Sequence, residues 1–367
     1  MARITMQDIA ENCHVSIATV SRALHNNPGV SEHLRALIRE YAEDHGYVPN
    51  LVAQSLRSSQ ADVAYIISRV GTDGQSPMQM PPNEKLKSIV GIDTVSHAIL
   101  LHDDLIERLH QLESIVRPRL FVIVGPTLVV EPERFDSIHS PLLFVEADGA
   151  PRNYPSISSD DQAGTEALVD SLIEAGHRRI ALLTISNKSP ALNYPERLQS
   201  YRSVLERHNI PYDPSLVLSM PVDFDDMYSS AKAELNDRVI PALRHCSPRP
   251  TALLILSDFL TLIFSHVAPE LGVKIPEDLS IASFGGWNVT NYLPVPVQSS
   301  VQPIDDIVEA TTIAMSCMIK QQPFPSTLKL SSRHPDGSHG EAYAVASQKL
   351  VVKGYMRMGK SVTAPHA

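Results

Sequence analysis

Apolar residues recur at helical spacing in three stretches at the start of the chain. Thr5 is placed to cap a first helix whose Met6, Ile9 and Ala10 fall on one face. The pattern breaks at Asn12-Cys13-His14 and restarts at Ser16, a second N-cap, with Ile17, Val20 and Leu24 again three and four residues apart. Asn26-Asn27-Pro28-Gly29 stops that helix, because proline and glycine both oppose helical continuation. Ser31 caps a third, longer helix striped by Leu34, Leu37, Ile38 and Tyr41 and closed by Gly46. Two short helices joined by a tight polar break, with a third to share their core, are what a DNA-reading helix-turn-helix needs. The plainer reading of the same pattern is an ordinary helical mini-domain.

A turn at Gly46-Tyr47-Val48-Pro49 leads into a short helical pattern with Val52, Ala53 and Leu56 on one side, then a polar linker, Ser58-Ser59-Gln60. Beyond it the rhythm changes. Short apolar runs at 63–67, 98–101, 120–124 and 142–145 predict buried strands, with a helix over 104–116. The rhythm resumes with helices over 162–175, 195–208 and 258–271 and strands at 180–183, 252–256 and 281–284. Strand-helix alternation predicts parallel sheets with helices on both faces, and its two rounds predict two lobes with a cleft between them.

Composition bounds the function. The chain has 367 residues, enough for two lobes beyond the helical segment. A net charge of −10 with a pI near 5.8 fits a cytoplasmic protein without general attraction to nucleic acid outside the first segment. No signal pattern and no membrane-spanning apolar run is present, so no membrane partner is expected. Cys13, Cys246 and Cys317 are odd in number and far apart, which reads as reduced thiols. Up to Gln60 the chain has five arginines (3, 22, 35, 39, 57) against six acids (8, 11, 32, 40, 43, 44), a net of −1. DNA affinity from such a segment should be modest, salt-sensitive and dependent on two copies acting together. A nucleophile elbow, P-loop, dinucleotide fingerprint and HExxH are all missing, which leaves an α/β enzyme as the remote alternative.

The segment T-x-x-D-I-A-x-x-x-x-V-S-x-x-T-V-S-R-x-L-x-x-x-P-x-V-S, starting at Thr5, followed by G-Y-x-P-N-x-x-A-x-x-L from Gly46, resembles the lactose/galactose repressor (LacI/GalR) family of bacterial transcription regulators. Gly176-His177-Arg178-Arg179-Ile180, Glu196-Arg197-Leu198 with Tyr201, Leu256-Ser257-Asp258 and Ile275-Pro276-Glu277-Asp278-Leu279 are similar to the family's core. The resemblance implies an all-α helix-turn-helix headpiece with a hinge helix, followed by an α/β two-lobed periplasmic-binding-protein-like core. The implied boundaries are 1–48 for the headpiece, 49–60 for the hinge and linker, 61–161 with 299–322 for the N-terminal lobe, and 162–298 with 323–367 for the C-terminal lobe.

What the resemblance implies for DNA follows its motif. The helix opened by Ser16 lies in the major groove, where Arg22 suits the bidentate contact to guanine. Ile17 and Ala18 form an apolar tip able to touch thymine methyls. Thr5, Ser16, Thr19 and Ser21 suit phosphates, although helix capping alone accounts for such hydroxyls. Asn50, Ala53 and Leu56 belong to the hinge, with Leu56 a wedge between base steps of the minor groove. The expected assembly is a homodimer on a pseudo-palindromic operator.

The resemblance also places a small-molecule effector in the cleft, with Arg197, Phe224, Ser257 and Gln302 as its contacts and Asp258 as a helix cap, and Trp287, where this chain departs from the family, is expected to add an apolar or stacking wall. No cofactor and no metal are expected. Sugar-responsive relatives carry Gly-Tyr-Asp-Asp where this chain has Ser283-Phe284-Gly285-Gly286, followed by its only tryptophan, Trp287. The carboxylate that clamps sugar hydroxyls is therefore missing. A modified or acidic sugar, another metabolite, or control by a protein partner or by nothing at all stay open. Arg333-His334-Pro335-Asp336-Gly337-Ser338-His339-Gly340-Glu341 reads as an insertion, a solvated hairpin between 328–330 and 350–352 in preference to a metal site.

Overall fold

The computed structural model describes residues 6–24, 29–45, 61–70, 80, 83–125, 131–147, 153–186, 195–223, 226–286 and 288–365. The chain divides into two units, Met1–Ser59 and Gln60–Ala367.

In the first unit, α1 (Met6–Asn12), α2 (Ile17–Leu24) and α3 (Glu32–Asp44) enclose Ile9, Ala10, Val20, Ala23, Ile38 and Ala42. The break between α1 and α2 is tight because His14 takes a left-handed φ of 53° and the Val15 amide returns to the Ala10 carbonyl at 2.9 Å. Ser16 Oγ then accepts from the Thr19 amide at 3.1 Å, and Ser31 Oγ from the Leu34 amide at 3.4 Å, so both hydroxyls act as N-caps. Leu37, expected in the α3 stripe, is instead 44 % exposed. At about 2 kcal/mol per fully buried aliphatic side chain, so small a core leaves a narrow margin of stability.

The second unit begins with β1 (Ala61–Val70), α4 (Asn83–Val90), β2 (Asp93–Leu100), α5 (Leu105–Ile115), β3 (Pro118–Val124), β4 (Leu142–Val145) and β5 (Ser156–Ser159). It continues with α6 (Asp161–Glu174), β6 (Ile180–Ser186), α7 (Pro195–Arg207), β7 (Val217–Pro221), α8 (Met227–Glu234), α9 (Ile240–His245), β8 (Ala252–Ile255), α10 (Asp258–Glu270), β9 (Ser280–Gly285) and β10 (Gln298–Val301). Then come α11 (Ile304–Ile319), β11 (Thr327–Arg333), β12 (His339–Ala346), β13 (Lys349–Val352) and β14 (Tyr355–Arg357). Each predicted strand and helix overlaps one of these spans, and none overruns it by more than one residue at either end.

Two sheets result, ordered β11-β12-β13-β5-β4-β3-β1-β2 and β14-β10-β9-β8-β6-β7. Both are parallel through their centres, with β11 to β13 and β14 adding antiparallel pairs at one edge of each. The central strands of each sheet are buried on both faces. The first packs one face on α4 and α11 through Leu86, Ile307 and Met315, and the other on α5 through Leu105 and Leu109. The second packs one face on α10 through Phe264 and the other on α6 and α7 through Leu172 and Val204.

The lobe boundaries differ from the expected ones. β10, expected in the N-terminal lobe, pairs with β9 of the second sheet, and the N-terminal lobe resumes only with α11. β11 to β13, expected in the C-terminal lobe, extend the first sheet, because β13 pairs in parallel with β5 from Lys349↔Ser156 to Val352↔Ser159. Burial explains the choice: Leu330, Ala342, Leu350 and Val352 close the core over Ile157 and α11. The chain therefore passes between lobes after β5, after β10 and after β13, three times among the described residues.

Candidate DNA-reading face and effector cleft

On α2, Ile17, Ala18 and Arg22 are exposed while Val20 and Ala23 are fully buried. At about 100° per residue the exposed positions span an arc of roughly 140°, opposite the buried pair. One clean face of α2 is thus offered to a partner, apolar at its start and cationic at its end. Ser16 Oγ and Thr19 Oγ1 lie 2.8 Å apart at the helix N-terminus, where the positive end of the helix dipole favours phosphate. A Cβ added to Gly29, which has a φ of 97°, would lie 4.0 Å from Arg22 Cδ. Ser21 lies on α2. Thr5, Asn50, Ala53 and Leu56 lie outside the described residues.

The expected cleft residues are positioned by strand ends and crossovers. Arg197 sits one turn before Tyr201 on α7; Tyr201 is buried and donates its hydroxyl to the Ile180 carbonyl at 2.7 Å, fixing that face of the helix against β6. Arg197 is only 6 % exposed. Its Nε donates to Asp161 Oδ2 at 2.6 Å, its Nη1 to the Leu256 carbonyl at 2.9 Å, and its guanidinium lies 3.9 Å from the centre of the Phe284 ring. Asp161 Oδ1 accepts from Ser159 Oγ at 2.7 Å. Gln302 Nε2 donates to Ser159 Oγ at 2.9 Å and to Glu146 Oε2 at 3.0 Å, and the Ser159 amide donates to Glu146 Oε1.

A continuous polar chain, Glu146–Gln302–Ser159–Asp161–Arg197, therefore runs from the end of β4 through two crossovers to α7. Sequence reasoning found Arg197 and Gln302 and missed Glu146, Ser159 and Asp161. Glu146 has a left-handed φ of 47°, rare for a non-glycine residue and a sign that its surroundings hold it there.

Ser257 occupies the N-cap position of α10, half-buried. Asp258 departs from its expected role as cap. It opens the helix and accepts from Ser283 Oγ at 2.5 Å, which in turn lies 2.8 Å from Thr261 Oγ1. The end of β9 explains the double glycine. A Cβ on Gly285 would meet Asp258 Oδ2 at 2.7 Å, and one on Gly286 would meet the Val301 Cα at 2.6 Å. With no side chain of their own, the two glycines let Asp258 and Val301 close against the backbone here. Phe224 and Trp287 lie outside the described residues.

The 333–341 insertion is the turn of the β11–β12 hairpin, and its first histidine is not a solvated loop residue. His334 is 8 % exposed, with Nε2 2.6 Å from Asp306 Oδ2 and Nδ1 3.0 Å from Ser338 Oγ, and its ring stacks on Tyr355 at 4.5 Å. Both ring nitrogens are engaged inside the protein, and His339 faces solvent. Among the described residues no three His, Cys, Asp or Glu side chains group as metal ligands. Nor is any described helix long and apolar enough to cross a membrane.

Comparison with known proteins decides the family. The profile of "Bacterial regulatory proteins, lacI family" matches residues 5–50, and that of a "Periplasmic binding protein-like domain" matches residues 169–331. The chain belongs to the lacI family of bacterial regulatory proteins. This lacI-family chain is a DNA-binding transcriptional regulator. Catabolite control protein A of Priestia megaterium is 25 % identical over 312 residues, covering 83 % of this chain and 89 % of that protein. The HTH-type transcriptional repressor CytR of Escherichia coli is 26 % identical over 308 residues, 82 % of this chain and 85 % of CytR. Among solved structures, the lac repressor dimer bound to operator and the anti-inducer ONPF superposes with a TM-score of 0.70 at 19 % identity, over 99 % of this chain and 100 % of that one. That likeness is one of fold.

Proposed function

We propose that this regulator is a repressor that binds a pseudo-palindromic operator as a homodimer and changes its affinity when a small effector enters the interlobe cleft. The single observation that carries the reading is the polar chain from Glu146 to Arg197, which ties residues of both lobes to one strip of the cleft. A ligand bonding to any member has to redirect the others, so occupancy and lobe geometry are coupled.

On the DNA side, Arg22 takes the base-reading role, Ile17 and Ala18 the apolar tip, Ser16, Thr19, Ser21 and Thr5 the phosphates. Asn50, Ala53 and Leu56 act as the hinge, with Leu56 wedged between base steps. In the cleft, Arg197, Gln302, Ser257 and Glu146 supply polar contacts, and Phe224 and Trp287 the apolar walls. The relative bound to an operator and an anti-inducer supports this division of labour. Such a regulator works in the cytoplasm.

Genomic footprinting followed by anisotropy titration on the recovered site tests the reading. Two symmetric half-sites with cooperative binding are expected, with affinity changed by a metabolite of the neighbouring genes. Binding of a single half-site by a monomer, or no sequence preference, would defeat it. Strong specific binding that no metabolite alters would instead favour control by a protein partner.

A further inference from the structure

Arg69 is among the largest fully buried side chains of the protein, at 2 % exposure, and it stands at the end of a strand otherwise apolar on that face. Its Nη2 donates to the Leu101 carbonyl at 2.9 Å and to the Asp103 carbonyl at 3.3 Å. Its Nε and Nη1 have no acceptor among the described residues. The carboxylates nearest in sequence to those carbonyls are committed elsewhere: Asp104 to Arg134 at 2.8 Å and to the Glu107 amide at 3.1 Å, Asp103 to Arg108 at 3.6 Å. Burial pushes the Arg69 guanidinium down to about 10, with Asp103 and Asp104 opposing, so it stays a cation at neutral pH. A buried cation with unfilled donors is costly unless an anion completes it.

Register places this cation at the cleft. β1, β3 and β4 run parallel, with Ser68 paired to Val124 and Val124 to Val145, so the next residues, Arg69, Gly125 and Glu146, form one row at the carboxyl edge of the first sheet. Glu146 is bonded to Ser159 and Gln302 at the crossovers, so that edge is the one facing the lobe junction. Gly125, at a φ of 92°, lies beside Arg69: a Cβ added there would sit 3.4 Å from the Arg69 Cβ.

We infer that Arg69 is the anion seat of the effector cleft, and that the effector is an acidic metabolite, a carboxylate or a phosphate ester, whose oxygens take the Nε and Nη1 hydrogens. The inference rests on the cleft-effector reading and narrows its ligand class. Arg197, already held by Asp161, does not serve as that seat; Arg69 does.

The test uses the full chain and calorimetric titration with glucose, glucuronate, glucose 6-phosphate, acetate and inorganic phosphate at constant ionic strength. A carboxylate or phosphate probe should bind at least about tenfold more tightly than glucose, the scale of one charge-assisted contact. Comparison of the acetate and glucuronate arms with the two phosphate arms tells which anion the seat takes. Arg69→Gln should lose that preference while keeping operator binding, which reports that the variant folds. If Arg69→Gln does not fold, the anion preference of the unaltered protein still decides. Equal binding of glucose and the acids, no binding of any anion, or an undiminished preference in Arg69→Gln overturns the inference. If operator affinity nevertheless responds to a neutral metabolite, the cleft reading stands without it; if no metabolite acts at all, that reading fails too.

Discussion

The Arg197 guanidinium reaches Asp161 at 2.6 Å while both side chains are withdrawn from solvent, 8 % and 15 % exposed. Removing one partner leaves the other charged and buried. Arg197→Ala should therefore cost about 3–5 kcal/mol of stability as well as the effector response, whereas Arg197→Met with Asp161→Leu should recover most of the loss. Urea unfolding of the singles and the double checks this; additive losses would show that the pair is not coupled.

Restoring the acidic wall of sugar-responsive relatives should fail for a steric reason. Gly286→Asp places a Cβ 2.6 Å from the Val301 Cα at a φ of 75°. We expect a loss of about 2–4 kcal/mol from overpacking and left-handed strain. A variant that keeps the original thermal midpoint would mean β9 and β10 separate easily at this point.

His177 supplies a pH dependence. It is 1 % exposed, its Nδ1 lies 2.8 Å from Thr251 Oγ1, and burial holds its pKa below the ordinary 6.5, with the Thr363 backbone pulling the other way. The unfolded chain then takes up a proton first as pH falls. The contribution is complete above about 6.5 and is lost as pH drops through that value toward the lowered one. Thermal midpoints from pH 7.5 to 5 should fall less steeply in His177→Gln, and parallel curves would exclude His177 as the source.

On DNA, Arg22→Ala should weaken specific binding by about 1–3 kcal/mol and nonspecific binding much less. Competition titrations with operator and random duplex measure the difference. Equal losses would assign Arg22 to phosphate. Leu56→Ala should cost operator affinity while sparing folding and dimerisation; unchanged specific binding would remove Leu56 from the hinge.

The headpiece was legible because its information is local: caps at Ser16 and Ser31 and a period of 3.6 define α2 and α3 without reference to the rest of the chain. The central strands were legible as unbroken apolar runs. The cleft was harder, since Glu146, Ser159, Asp161, Arg197 and Gln302 meet only through pairing of strands distant in sequence. Arg69 carried a visible signal, a charge inside an apolar strand, that a strand-and-helix reading passes over. The lobe membership of β11 to β13 was hidden for a related reason. Alternating strands such as His339–Ala346 announce a hairpin, and only the burial of Leu350 and Val352 beside Ile157 says which sheet takes it.

The seating of β13 against β5 also sets an order of assembly on the ribosome. β5 ends at Ser159 and β13 begins at Lys349, so the chain between them, every strand from β6 to β12 included, is synthesised while one edge of β5 still lacks its neighbour. At roughly 5–20 residues per second that interval lasts tens of seconds at the slow end. During it, the edge of β5 is an exposed template, and chaperone cover matters more to the N-terminal lobe than to the lobe made after it.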